Sequence, residues 1–230
     1  QSEDLYKGFK KLRDATSYDG MSEAQKRVID QEILGAELAG IALSTEDRER
    51  VTAIQQRLSE LSTKFSNNVL DATKAFQRVV TDKAEVDGLP ESALELAAQT
   101  AASKGHEGAT VEAGPWVFTL DIPSYMPVML HAKNRGLREE LYREYLTRAS
   151  SGETDNTPNI EEILQLRQEK SKLLGYDNFA EVSMARKMAT LEKAGTLMEE
   201  LRQVSYDAAV QDLKDVKEFA KAQGADHELR

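Results

Sequence analysis

Apolar residues recur at three- and four-residue spacing along most of the chain, which is the period of a helix face. Leu5, Phe9 and Leu12 predict a short first helix that ends before Tyr18-Asp19-Gly20. Ser22-Glu23-Ala24-Gln25 has the form of a capping box, the serine oxygen accepting from the third helical N–H while the glutamine reaches back. Val28, Ile29, Ile33, Ala36 and Ile41 supply the stripe of the helix that follows. Thr45, with Glu46 and Asp47 placed on the positive end of the dipole, predicts the cap of a long rod. Val51, Ile54, Leu58, Leu61, Phe65, Ala72 and Phe76 mark its face. At about 1.5 Å per residue, the stretch 45–76 spans ~48 Å.

Two runs break the helical rhythm. Val79-Val80-Thr81 and Trp116-Val117-Phe118-Thr119-Leu120 are β-branched or aromatic and are bounded by Gly88-Leu89-Pro90 and Gly114-Pro115. Two isolated strands in a helical chain pair with each other, so a ribbon of about 77–83 with 115–121 is expected. Between them Pro90 suits a first helical position, and Leu94 to Ala102 form a helix ending near Gly105.

Beyond Pro123, Ser124 is expected to cap a short helix carrying Val128, Met129 and Ala132. Leu137, Leu141, Tyr142 and Tyr145 line the next. A polar loop at 150–156 precedes a helix that starts at Thr157-Pro158 and runs to Gly175, and Asn178-Phe179-Ala180-Glu181 is a second capping-box pattern. Thr190 opens a last rod with Ala194, Leu197, Leu201, Val204, Ala208, Val216 and Phe219 on one face, ending at Gly224. The fold class is mainly α: a multi-helix lobe with long antiparallel helices and one two-stranded β-ribbon. Residues 1–230 form a single lobe, divisible into a long-helix part with the ribbon (1–122) and a helical part (123–230).

Composition narrows the function classes. The 230 residues hold 30 Lys+Arg against 40 Asp+Glu, a net charge of −10, and no cysteine. Disulfides, thiolate zinc sites and cysteine nucleophiles are therefore excluded. A nucleic-acid backbone, which needs clustered cations, is not an expected partner. Nor is a membrane, because no apolar run approaches the roughly 20 residues of a span. The chain opens Gln1-Ser2-Glu3-Asp4 without an initiator methionine and closes Asp226-His227-Glu228-Leu229-Arg230, which reads as a processed or cut piece.

The search for chemistry yields little. His106-Glu107-Gly108-Ala109-Thr110 starts like the zinc motif H-E-x-x-H, but threonine stands in the second histidine's place and Gly105 and Gly108 oppose a helix. His227-Glu228 starts it again, with Arg230 too near for a second ligand. His131, among Met129, Leu130 and Ala132, reads as a hydrogen-bonded packing residue. Met126, Met129, Met184 and Met188 read as core filler. The charges Arg138, Glu139, Glu140, Arg143 and Glu144 have the spacing of a solvated helix face. Arg135 and Arg138 are the candidate substrate-binding residues, since a planar guanidinium in a cleft can clamp a peptide carboxylate. No catalytic residue and no metal ligand is assigned.

Several segments, taken together and in order, resemble the thimet-type zinc oligopeptidases (peptidase family M3), on the branch of oligopeptidase A and its plant organellar and cytosolic relatives. They are Leu61-Ser62-x-Lys64-Phe65-Ser66-x-Asn68-Val69-Leu70-Asp71-Ala72-Thr73, Gly88-Leu89-Pro90 and Gly114-Pro115-Trp116. Next come Thr119-Leu120-Asp121-x-Pro123-Ser124-Tyr125-x-Pro127-Val128-Met129 and His131-Ala132-Lys133-Asn134-Arg135-x-Leu137-Arg138-Glu139-Glu140. Arg148-Ala149-Ser150-Ser151-Gly152, Leu173-Leu174-Gly175-Tyr176 and Ala180-Glu181-Val182-Ser183 complete the set.

The resemblance implies a two-lobed helical enzyme enclosing a channel. There a zinc ion held by H-E-x-x-H and a further glutamate activates water against short peptides. No position here matches those ligands, so the zinc belongs to the full-length parent, and none is expected bound catalytically to this chain. The expected role is a channel wall from the N-terminal, non-catalytic part, inactive alone, in an enzyme degrading short unstructured peptides, targeting or degradation peptides among them. The expected partners are those peptides, the missing catalytic lobe and, through an exposed interface, further copies of the chain, seen as dimers or larger species in gel filtration. The expected compartment is chloroplast stroma or mitochondrial matrix, with cytosol as the alternative. A self-standing helical scaffold or adaptor without catalysis is the competing reading.

Overall fold

The computed structural model describes residues 2–225. Helices come first: α1 (Glu3–Arg13), α2 (Glu23–Leu38) and α3 (Thr45–Ala75). A short strand β1 (Arg78–Val80), α4 (Glu91–Ser103) and β2 (Trp116–Phe118) follow. The rest is helical: α5 (Ile122–His131), α6 (Arg135–Thr147), α7 (Thr157–Leu173), α8 (Phe179–Met184) and α9 (Leu191–Ala222). The mainly helical class and the ribbon are as the periodicity predicts. Among the described residues no helix is long and apolar enough to cross a membrane.

Helix starts follow local chemistry. The Ser22 box forms in full, Ser22 Oγ accepting from the Gln25 N–H at 3.3 Å and Gln25 Oε1 accepting from the Ser22 N–H at 3.0 Å. Thr190 Oγ1 accepts from the Lys193 N–H at 3.2 Å to start α9. Other starts shift by a residue or more. Ser44, not Thr45, accepts from the Asp47 N–H at 3.1 Å; two adjacent hydroxyls compete there, and the backbone turn chooses the first. Pro90 is extended (φ −67°, ψ 151°), so α4 begins one residue later than a proline at the first helical position would place it. Ser124 does not cap α5; that helix starts at Ile122, and the Ser124 hydroxyl accepts from the Thr119 N–H at 3.0 Å. At α8 only half the expected box forms. Asn178 Oδ1 accepts from the Glu181 N–H at 3.1 Å, while the Glu181 carboxylate takes the Asp177 N–H at 2.9 Å.

The chain divides into two compact units. One, Gln1–Thr52 with Arg167–Arg230, has a core of Ile29, Ile33, Ala36, Ile41 and Val51. Val28, predicted for that stripe, is 59% exposed instead, one position off the buried arc. In this unit Arg50 grips Glu169 with two parallel bonds of 2.5 and 2.7 Å.

The other unit, Ala53–Leu166, is built around the ribbon. Its strands pair antiparallel, Arg78 with Phe118, Val79 with Val117 and Val80 with Trp116. Trp116, Phe118 and Val80 pack with Ala97 and Ala98 of α4, Val128 of α5 and Leu137 and Leu141 of α6 in one buried cluster. The indole N–H of Trp116 donates to the Val111 carbonyl at 3.2 Å, satisfying the core's largest polar handle. Gly88 (φ +90°) brings its loop against the α5 exit so closely that a Cβ would collide with the His131 carbonyl. The Lys133 N–H then donates to Asp87 O at 2.9 Å, and Lys133 Nζ meets the Asp87 carboxylate at 3.0 Å. Methionine is core filler only in part: Met129 packs on the cluster, but Met126 and Met188 are exposed, Met188 at 88%.

Candidate functional site

The two candidate arginines sit where α5 hands over to α6. Asn134 accepts the Leu137 N–H at 3.1 Å and starts α6, so Arg135 is its first residue and Arg138 lies one turn on. Arg138 turns back: its Nη1 donates to the Ala132 carbonyl and, at 3.2 Å, to that of Lys133. Ala132 is the extended C-cap of α5 and Lys133 the residue after it, so the guanidinium supplies donors and a favourable charge at that helix's C-terminal end. Arg135 is exposed and, among the described residues, has no carboxylate within ion-pair distance. The charged run on α6 divides between two roles. Arg143 holds Glu139 at 2.7 Å along the helix surface, whereas Glu140 reaches across to Arg78 of β1 at 2.9 Å.

The histidines do not converge. His106 follows α4 in a turn whose N–H donates to Ala101 O at 3.0 Å, and Thr110 exchanges backbone bonds with Gly114 at 2.9 and 3.0 Å. That stretch is therefore a bridged loop and not a zinc helix. His131 ends α5 with an exposed ring instead of a packed one, because the chain turns outward there and only its carbonyl faces Gly88. His227 lies outside the described residues. Among the described residues no three His, Asp or Glu side chains gather to hold a metal ion. The described residues do not offer the donor set a zinc ion requires.

Two arrangements escaped the sequence reading. Tyr125 and Tyr145 stack with centroids 4.3 Å apart, and the Arg148 guanidinium lies 3.7 Å over Tyr145. Burial is the main influence that raises the Tyr125 hydroxyl above its ordinary value. The i,i+3 relation of Tyr145 and Arg148 is visible in sequence; the approach of Tyr125 from another helix is not.

The second is a buried amide hub. Asn156 Nδ2 donates to the Phe65 carbonyl at 3.1 Å, and its Oδ1 accepts from Asn68 at 3.0 Å and Asn159 at 2.7 Å. Nearby, Arg57 clamps Glu162 at 2.6 and 2.8 Å, and that hydrogen bonding is the main cause that lowers the Glu162 carboxyl. Asp155 is lowered chiefly by the Thr157 N–H, which it accepts at 2.9 Å. These contacts tie α3 to the start of α7 inside one unit. They are architectural and involve no reacting group.

Comparison with known proteins supplies what the site lacks. Residues 1–48 match the family model described as Neurolysin/Thimet oligopeptidase, N-terminal domain, and residues 128–230 match Peptidase family M3. Organellar oligopeptidase A, chloroplastic/mitochondrial, of Arabidopsis thaliana is 60% identical over 225 residues, covering 98% of this chain and 28% of the relative. The protein named "Probable cytosolic oligopeptidase A" from the same plant is 59% identical, covering 98% and 32%. Oligopeptidase A of Escherichia coli (strain K12) is 43% identical over 100% of this chain and 34% of its own length. The chain spans about a third of the length of the curated relatives it matches. With both family models matched in chain order and this identity sustained along nearly every residue, the chain belongs to peptidase family M3, on its oligopeptidase A-like branch.

Proposed function

We propose that this chain is the non-catalytic N-terminal portion of a zinc oligopeptidase that degrades short unstructured peptides, and that it contributes a wall of the enclosing channel. One observation carries the reading. The chain matches oligopeptidase A relatives end to end, yet spans about a third of them and has no H-E-x-x-H among its 230 residues. Zinc is the metal of full-length M3 enzymes, and its ligands fall to the polypeptide beyond the shared stretch. Close-packed helices resist local deformation, which suits a wall that admits a flexible peptide and excludes a folded protein.

On this reading Arg135 and Arg138 meet the carboxylate of a peptide. Arg138 is braced by the carbonyls of Ala132 and Lys133 just past α5, and Arg135 is free to reach. The partners are short peptides and the catalytic lobe. In isolation the chain self-associates through the surface that lobe would cover. The name of one Arabidopsis relative favours a chloroplast or mitochondrial compartment, with the cytosol as the alternative from the other. Identity sustained over 98% of the chain favours this reading over a self-standing adaptor.

The test is hydrolysis of an internally quenched peptide of about ten residues. The 230-residue chain is expected to leave it intact. A chimera carrying this chain in place of the matched stretch of the organellar relative is expected to cleave it and to lose activity to a chelator. Cleavage by the 230 residues alone would overturn the division of labour. In the chimera, Arg135→Ala is expected to raise KM several-fold with little change in kcat.

A further inference from the structure

A cleft of about 490 Å³ lies between α2, Tyr18 and the turn that follows α8, inside the first of the two compact units. Lys26, Arg27, Arg186 and Lys187 line it, against the two carboxylates of Glu23 and Asp30. The local surplus is positive in a chain whose net charge is −10. Both carboxylates are engaged. The Tyr18 hydroxyl donates to Asp30 Oδ2 at 2.9 Å, and Lys26 Nζ stands 3.9 Å from Glu23. Among the described residues neither Arg27 nor Arg186 has a carboxylate within ion-pair distance. Arg186 is nevertheless held. Its Cζ, Nη1 and Nη2 lie 3.7, 3.8 and 3.8 Å from the point where a Cβ of Gly35 would stand, so the guanidinium plane rests on α2. A side chain longer than alanine's would take that space. The plane is packed and its N–H edge is left for a ligand, which is a pre-organised carboxylate clamp.

We infer that this cleft binds a short, extended, acidic peptide segment, with Arg186 and Arg27 as its carboxylate-binding groups. The shape of the ligand follows from where the cations are anchored. Arg27, Gln31 and Gly35 share one i,i+4 ridge of α2, and Arg27 stands eight residues, about 12 Å of helix, from the Gly35 that seats Arg186. Lys187 is drawn to Ser183 Oγ at 3.2 Å, and Lys26 lies 5.6 Å from the centroid of the Tyr18 ring. The cations therefore spread along the cleft and do not converge on one compact anion. An extended chain covers that span with about four residues. The acids in the cleft identify the backbone. Asp30 Oδ1 and Glu23 can accept the N–H groups of a peptide, whereas a phosphodiester chain has no such donor to give them and is repelled by the rest of the molecule. The inference stands on these residues and does not need the peptidase reading.

Fluorescence anisotropy tests the site with a labelled peptide of about six residues, four of them Asp or Glu, and a control with Asn and Gln in their place. The 230-residue chain is titrated, and so is the full-length chimera with its metal chelated, so that neither folding of the shorter chain nor hydrolysis decides the outcome. The acidic peptide is expected to bind about ten-fold tighter than the control, and to weaken as salt rises from about 20 to about 200 mM. Arg27→Gln with Arg186→Gln is expected to remove that preference. Gly35→Gln keeps every charge but takes the seat of Arg186, and is expected to weaken binding about five-fold. Glu23→Gln keeps an accepting oxygen and removes a negative charge, so it is expected to bind about two-fold tighter, a gain that misfolding cannot produce. Equal binding of the two peptides, or a double arginine variant that binds as the parent does, would overturn the inference. Inorganic triphosphate or a short oligothymidylate binding as tightly as the acidic peptide would overturn it as well, by assigning the cleft to phosphate. Hydrolysis is not a readout, so failure of the peptidase reading leaves these outcomes unchanged.

Discussion

Replacing Asn156 with alanine removes three side-chain hydrogen bonds from a position that is 3% exposed. The consequences differ by partner. The Phe65 carbonyl keeps its place in the α3 ladder, and Asn68, only partly buried, can turn to water. Asn159 is 3% exposed and loses the 2.7 Å acceptor for its amide. An orphaned buried donor costs about 1–3 kcal/mol, and each of the other two bonds contributes about 0.5–1.5 kcal/mol net. Together Asn156→Ala is expected to destabilise the chain by about 3 kcal/mol. For a chain of this size that is a fall in Tm of about 6–12 °C.

Asn156→Asp keeps the accepting oxygen but turns a second oxygen towards the Phe65 carbonyl, so its carboxyl is raised in the folded state. The sign follows from that shift. The variant is most stable below the ordinary carboxylate value of about 3.9 and loses stability as pH rises through the raised folded value. Denaturant titration at constant m reads both effects, and the Asn156→Ala/Asn159→Ala double variant is expected to cost clearly less than the two singles added. An Asn156→Ala protein within about 0.5 kcal/mol of the parent, below even the smallest single-bond figures combined, would refute the hub. An Asn156→Asp protein indifferent to pH would do the same.

Other outcomes follow from single contacts. Gly88→Ala must place a Cβ on the His131 carbonyl at φ +90°, and is expected to cost about 2–4 kcal/mol by chemical denaturation. Because hydrogen bonds from Arg57 and Arg50 lower the Glu162 and Glu169 carboxyls, both pairs stabilise the fold above the ordinary carboxyl value of 4.5. That contribution is lost as pH falls through the lowered values. Glu162→Gln with Glu169→Gln should therefore flatten the acid limb of a stability–pH curve, and an unchanged limb would count against the pairs. Ser44→Ala should lose about 1 kcal/mol as the cap of α3, with Thr45→Ala nearly silent; the reverse order would return the cap to Thr45.

Legibility in the sequence tracks the range of the interaction involved. Helices and the Ser22 and Thr190 caps depend on residues within four positions of each other, and the spacing of side chains alone determines them; the ribbon pairs residues up to 40 positions apart, but two isolated strand-like runs leave each other as the simplest partner. The absence of cysteine and of H-E-x-x-H is likewise a property of the chain as written. Competing local partners blurred the starts of α3, α4 and α5, where adjacent hydroxyls and prolines offer alternatives that only the folded backbone resolves.

Tertiary structure decided the rest. It engaged Arg138 with the carbonyls just past α5, left His131 exposed and drew Glu140 to a strand 62 residues away. It built the Asn156 hub from residues up to 91 positions apart. It also left bare the stripe of α9, which periodicity marks as apolar without saying what covers it. Periodicity reports which side chains avoid water; which partner they meet depends on long-range packing, which no spacing of residues along the chain encodes.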